Sequence, residues 1–174
     1  EKQLRQEIPG IDAATVIGGL RRLRPTATPS DIYFFITTER GMGNNARIAA
    51  QNKAQQGRAP VFLYRLAWAT PVLGGKLRTP HSLDIPLVFD NVAGSTSLVG
   101  EDTRAPQKVA DAMSAAWIAF ARSGSPNGPG LPQWPAYNPQ ARATMTFDVA
   151  SRSVDDPLRS EHAVLAPYFP RPAP

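Results

Sequence analysis

The chain has 174 residues and no cysteine. This absence excludes a disulfide framework, a thiolate nucleophile and any zinc or iron–sulfur site built on cysteine. It leaves the cellular compartment undetermined. Histidine is nearly absent too, with two residues, His81 and His162, and no clustered carboxylates accompany them. A metal centre needs three or four converging ligands, so we expect no metal site.

Long apolar runs are also missing. No stretch approaches the roughly 20 apolar residues that a membrane-spanning helix requires, so we expect no membrane span. The opening residues Glu1 to Arg5 do not resemble a signal peptide, and no initiator methionine precedes them. We therefore expect that residues upstream of Glu1 are missing from this chain.

The charge is basic, with a formal net charge of +5 and a pI of about 10.0. The 15 arginines and 4 lysines are scattered, at most two are adjacent (Arg21 and Arg22), and none alternates with aromatic residues as a stacking platform. We expect no nucleic-acid binding. The high pI is explained more simply if this chain is a fragment and the rest of the protein carries the balancing negative charge.

Capping signals predict three helices in the first third of the chain. Asp12 is positioned to cap a helix through about Leu23, and Thr28 to Asp31 combine a capping threonine, a proline in the first turn and an acid at the third position. A third helix is predicted from about Asn44 to Gln56, ended by Gly57.

The segment from Pro60 to Trp68 is short and rich in β-branched and aromatic residues, which predicts an interior parallel strand buried on most of both faces. A loop from Thr70 to Pro80 then leads to His81. Helical spacing predicts the longest helix from about Thr103 to Arg122, and alternation predicts a short strand from Thr144 to Asp148. The order of elements indicates the closing portion of an α/β fold.

His81 is the first candidate for chemistry. Imidazole is the commonest general base in enzymes when a partner holds its second nitrogen. Judged by position alone, however, a histidine between Pro80 and Ser82 is more often structural or solvent-facing.

A series of motifs favours the catalytic interpretation. The segment "PHSLDIPLVFDN" resembles the catalytic-histidine segment of the type-B carboxylesterases, the family of cholinesterases and para-nitrobenzyl esterases. "AWIAFARSGSPN" is similar to that family's final helix and its exit, "WPAY" to its W-P-x-Y, and "RATMTFD" to its late strand. The chain departs from the pattern at Asp84, where Glu is usual, at Ser82, where Gly or Ala is common, and at Asp90, where Gly is frequent.

The resemblance implies that residues 1–174 are the carboxyl-terminal part of one α/β-hydrolase domain, with the triad order serine, acid, histidine. His81 is then the general base of carboxylic ester hydrolysis through an acyl-enzyme, and no cofactor is needed. The chain contains neither a G-x-S-x-G nucleophile elbow nor an HGGG-type oxyanion loop. We expect the upstream segment of the same esterase to provide both, and a small carboxylic ester to be the substrate.

The alternative, from another class, is an esterase-fold interaction protein that has lost catalysis, and retention of His81 argues against it. Other residues receive structural interpretations. We expect Glu39 to lie in a helix and not to be the triad acid, and His162 to be a surface residue. Phe34, Phe35 and Trp68 are expected in the core, although aromatic residues beside a histidine loop could line an ester pocket.

Overall fold

The computed structural model describes residues 1–169. Four helices precede the first strand, three more lie between the first and second strands, and one follows the third strand. The helices are α1 Lys2–Glu7, α2 Ala13–Leu23, α3 Pro29–Thr38, α4 Asn44–Gln55, α5 Asp84–Val88, α6 Thr96–Val99, α7 Arg104–Ser123 and α8 Arg159–Leu165. The strands are β1 Leu63–Leu66, β2 Ala143–Phe147 and β3 Arg152–Asp155. A π-helical turn, Glu39–Gly43, joins α3 to α4.

The capping signals are confirmed. The Asp12 carboxylate accepts the backbone N–H of Thr15 at the start of α2. At the start of α3, the Thr28 hydroxyl accepts from the Asp31 N–H while the Asp31 carboxylate accepts from the Thr28 N–H. These reciprocal bonds satisfy donors that the first turn of a helix leaves free. Gly124 ends α7 in the left-handed conformation, with a φ of 75°.

The chain divides into two compact units. Within the described residues, the first combines residues 1–52 with residues 157–169, and the second is 53–156. The core of the first unit contains residues of α2, α3 and α8 that are almost completely buried, among them Leu20, Ile36 and Leu165. Arg24, just after α2, forms an ion pair with Glu161 of α8 at 3.0 Å.

The second unit contains the sheet, in the order β1, β2, β3. β1 pairs with β2 in parallel, Leu63 opposite Thr144 and Leu66 opposite Phe147, and β2 pairs with β3 in antiparallel fashion. Parallel neighbours need a crossover connection, which here contains α5, α6 and α7. Leu83, Val109, Met113 and Met145 lie in the core of this unit.

The burial of the strands differs from the prediction. β2 is buried at every position because it lies between two neighbours, whereas all four residues of β1 are half-buried. Within residues 1–169, β1 has one strand beside it and its other edge has none. The expectation that β1 is buried on both faces is therefore wrong within residues 1–169, and its parallel pairing is confirmed. Its interior position in the sheet stays a prediction, because it needs a neighbour from outside these residues.

Several short elements were not predicted, among them α5, α6, β3 and α8. Helix α5 begins three residues after His81, β3 forms a hairpin with β2, and α8 follows Pro157. Each is short, so the periodic signal in the sequence extends over too few residues to be recognised.

Candidate functional site

His81 lies in a turn between the loop that leaves β1 and the first residue of α5. Its side chain is exposed, and within residues 1–169 no side-chain hydrogen bond or ion pair engages the imidazole. The buried neighbour Leu83, which is 0% exposed, anchors the turn in the core. The imidazole is therefore accessible to other groups, while the backbone close to it is held by the buried Leu83.

The backbone of this turn contains left-handed residues. Ser82 has a φ of 69° and Asp90, just past α5, has a φ of 51°. Residues other than glycine adopt this backbone conformation at a cost in free energy. The resembled family commonly has Gly or Ala at the position of Ser82 and frequently Gly at that of Asp90, and this backbone favours glycine at both.

A groove of about 330 Å³ adjoins the turn on its downstream side. Its walls are mainly apolar because Ile85 and Phe89, four residues apart on α5 and just beyond it, leave their side chains exposed. The lining residues are Ser82, Ile85, Pro86, Phe89, Asn91, Ser95 and Leu98. An apolar groove beside an accessible imidazole has the character of a site for a small organic ligand.

Asp84, three residues after His81, faces the hydroxyl of Tyr64 on β1. Burial raises the pKa of the Tyr64 phenol, and the charge of Asp84 and its hydrogen bond raise that pKa further. The phenol therefore stays protonated at neutral pH and can donate to the carboxylate. The acid in the His81 segment contacts β1 and lies on the first turn of α5.

The other motif residues have structural roles. The Asn127 side chain accepts from the Trp134 N–H at 2.7 Å and donates to the Trp134 carbonyl at 2.9 Å, which joins the exit of α7 to the W-P-x-Y segment. Trp134 stacks edge-on against Phe147 of β2, with 5.7 Å between ring centroids. Arg142 pairs with Asp156 at 3.1 Å. These contacts join separate segments of the second unit.

Two expectations about single residues are wrong. His162 is not a surface residue, since its side chain is 11% exposed and its Nε2 lies 3.0 Å from Oε2 of Glu39. Helix α8, absent from the prediction, turns this histidine inward. Phe34 is 43% exposed and not in the core, whereas Phe35 and Trp68 are buried as expected. The reason is that α3 buries only the face that carries Ile32, Phe35 and Ile36.

Glu39 lies in the π-helical turn and pairs with His162. Among the residues that the structure describes, no group of three or more histidine or acidic residues is arranged to hold a metal ion. In the same residues, no helix is long and apolar enough to cross a membrane.

Comparison with known proteins identifies the family. The model of the carboxylesterase family matches residues 27–165, which include the His81 turn and all three strands. The chain belongs to the carboxylesterase family. The para-nitrobenzyl esterase of Bacillus subtilis is 31% identical over 119 residues, covering 68% of this chain and 24% of that protein. Human cocaine esterase is 31% identical over 88 residues, covering 48% of this chain and 15% of that protein.

Solved structures agree with the sequence comparison. The carboxylesterase EST55 of Geobacillus stearothermophilus superposes with a TM-score of 0.72 and 34% identity, covering 94% of this chain and 33% of that chain. The α/β-hydrolase fold predicted from the sequence is confirmed, and the chain covers between 15% and 33% of the length of these relatives.

Proposed function

We propose that the full-length protein hydrolyses carboxylic esters through a serine, histidine and carboxylate triad, in which His81 is the general base. The observation that carries the proposal is the exposed imidazole of His81, in a turn whose Thr79 hydroxyl bonds the Trp68 carbonyl just past the carboxyl end of β1. The turn lies inside the region matched to the carboxylesterase family. Ligands of α/β sheets bind at the carboxyl ends of the strands.

In this mechanism the His81 imidazole takes the proton of the serine hydroxyl as the oxygen attacks the ester carbonyl. It then returns the proton to the departing alkoxide, and repeats both transfers when water cleaves the acyl-enzyme. A carboxylate on the other ring nitrogen holds the tautomer. We infer that the upstream part of the protein supplies the serine, the acid and the oxyanion donors, as the triad order of α/β hydrolases implies.

The groove beside His81 is suited to a hydrocarbon arm of the ester. Ile85, Phe89 and Leu98 offer apolar contacts, while Ser82 and Asn91 add polar groups at its edge. We propose a small carboxylic ester as the substrate, bound with an apolar part in this groove. This chemistry needs no cofactor.

The upstream part of the protein is also the partner that we propose for β1. The strand is half-buried at all four positions, and its edge opposite β2 has no neighbour within residues 1–169. Parallel strands are normally covered on both faces and paired on both edges. A second parallel strand from the upstream segment would pair with this edge.

The test is His81→Ala in the full-length protein, assayed with a para-nitrophenyl ester. The triad acts as a unit, so loss of the base is expected to lower kcat by several orders of magnitude, about 10⁴-fold or more, with the fold intact because His81 is exposed. Retention of more than about a tenth of the normal kcat would contradict the proposal. No hydrolysis by the unaltered protein would favour the interaction-protein alternative.

A further inference from the structure

The turn that carries His81 is attached to the sheet on its upstream side by Thr79. The Thr79 hydroxyl donates to the Trp68 carbonyl at 2.9 Å. Trp68 is itself held, because its N–H and that of Ala67 both donate to the Phe147 carbonyl, at 3.3 and 2.8 Å. A path of hydrogen bonds therefore leads from the end of β2, through Trp68, to a residue two positions before His81.

Thr70 closes the loop just before this point. Its N–H donates to the Arg78 carbonyl at 2.8 Å, and its hydroxyl, in a side chain that is 1% exposed with the rest of the residue, donates to the Leu98 carbonyl. Residues 71–77 thus form a closed excursion on the surface. The His81 turn begins at Thr79, directly after the Arg78 carbonyl that closes this loop.

The downstream side of the turn is attached to the same strand. Leu83 is fully buried, and Asp84 faces the Tyr64 hydroxyl. The Tyr64 ring cannot easily move, since it packs edge-on against Trp117 with 4.9 Å between centroids and against Phe147 at 6.0 Å. His81 therefore lies between Thr79, which is bonded to Trp68 just past β1, and Leu83, which is buried in the core.

We propose that Thr79 is a positioning residue for His81, which fixes the upstream end of the histidine turn to Trp68 just past β1, while the buried Leu83 fixes the downstream end. This inference rests on the proposed function. A general base transfers a proton only from within hydrogen-bonding reach, and a displacement of about 1 Å can cost as much as 10²-fold in rate. Thr79 is exposed, so its hydroxyl is not needed to fill the core.

The experiment compares two substitutions at this position in the full-length protein. Thr79→Val keeps the shape of the side chain and removes the hydroxyl, so we expect kcat for a para-nitrophenyl ester to fall about fivefold to tenfold, the equivalent of one hydrogen bond, with KM unchanged. Thr79→Ser retains the hydroxyl and should keep kcat within about twofold of the unaltered protein. Thr26→Val, at an exposed threonine between α2 and α3, is the matched control.

Asp84→Asn provides a second measurement from the other end of the turn. The amide keeps the size of the side chain but is a weaker acceptor for the Tyr64 hydroxyl, and kcat should again fall more than KM changes. The same substitution in a Tyr64→Phe background should have a smaller effect, because the partner hydroxyl is already gone.

The outcomes separate the two proposals. An unchanged kcat in Thr79→Val, or equal losses of kcat in Thr79→Val and Thr79→Ser, would overturn the positioning role of Thr79. If His81→Ala is inactive in the same assay, the proposed function still stands. A His81→Ala protein with near-normal kcat would overturn both. A fall in kcat confined to Thr79→Val and Asp84→Asn, with Thr79→Ser and Thr26→Val near normal, supports the positioning role.

Discussion

Glu39 and His162 form the most buried acid and imidazole pair in the described part of the chain. Their side chains are 9% and 11% exposed, and Nε2 lies 3.0 Å from the carboxylate. Gly43 makes room for this contact, because a Cβ there would lie 2.6 Å from Oε2 of Glu39. The edge of the Phe169 ring also meets the imidazole, with 5.7 Å between centroids. This histidine has a role in holding α8 to the π-helical turn.

We expect His162→Ala to lower the free energy of unfolding of the full-length protein by about 1–3 kcal/mol, because the substitution leaves the buried Glu39 carboxylate without its partner. The kcat of the folded variant should stay near normal. Denaturant unfolding and an ester assay on the same sample measure both quantities.

Arg21→Ala, at an exposed position of α2, is the control for this measurement. If His162→Ala shifts the unfolding midpoint no more than Arg21→Ala does, the pair contributes nothing measurable to stability. If folded His162→Ala loses as much kcat as His81→Ala does, His162 takes part in the chemistry, and the purely structural role assigned to it is wrong.

At the level of elements, local signals determine where helices begin. The capping residues of α2 and α3 lie next to the apolar positions that each helix buries, so the cap and the buried face specify the same element. For β1 and β2 the local sequence pattern predicts that a strand forms but not how deeply it is buried. Burial depends on how many neighbouring strands each one pairs with.

Thr28→Ala tests the capping box of α3. The substitution removes the hydroxyl that accepts from the Asp31 N–H, at 3.2 Å, and we expect a loss of about 1 kcal/mol in the free energy of unfolding. Thr28→Ser keeps the acceptor and should lose little. Denaturant midpoints measure both variants, and equal losses in the two would show that the methyl group, not the cap, is responsible.

For the whole molecule, β1 offers the clearest test of the proposed upstream partner. Amide hydrogen exchange should be slow along Leu63–Leu66 in the full-length protein and much faster in the chain of residues 1–174 alone, since a second neighbour would pair the open edge. The internal control is β2, Ala143–Phe147, whose neighbours on both sides lie within this chain. Equally fast exchange of β1 in both forms would argue against a strand on that edge.

The sequence by itself determined much of this protein. Local chemistry places the caps at Asp12 and Thr28 and predicts the positions of α7, β1 and β2 within a few residues. The ordered motifs from His81 to Asp148 indicate the carboxylesterase family, which the match to residues 27–165 confirms. These features could be predicted because each depends on residues close together in the chain.

Only the tertiary structure decided how distant residues meet. The pairing of Glu39 with His162, the attachment of Thr79 to Trp68 and the contact of Asp84 with Tyr64 each join separate elements. The short elements α5, β3 and α8 likewise depend on packing for their stability, since a helix of one or two turns or a strand of four residues is not stable alone. Contacts of this kind leave no local pattern, because their energy depends on which neighbours the fold brings together.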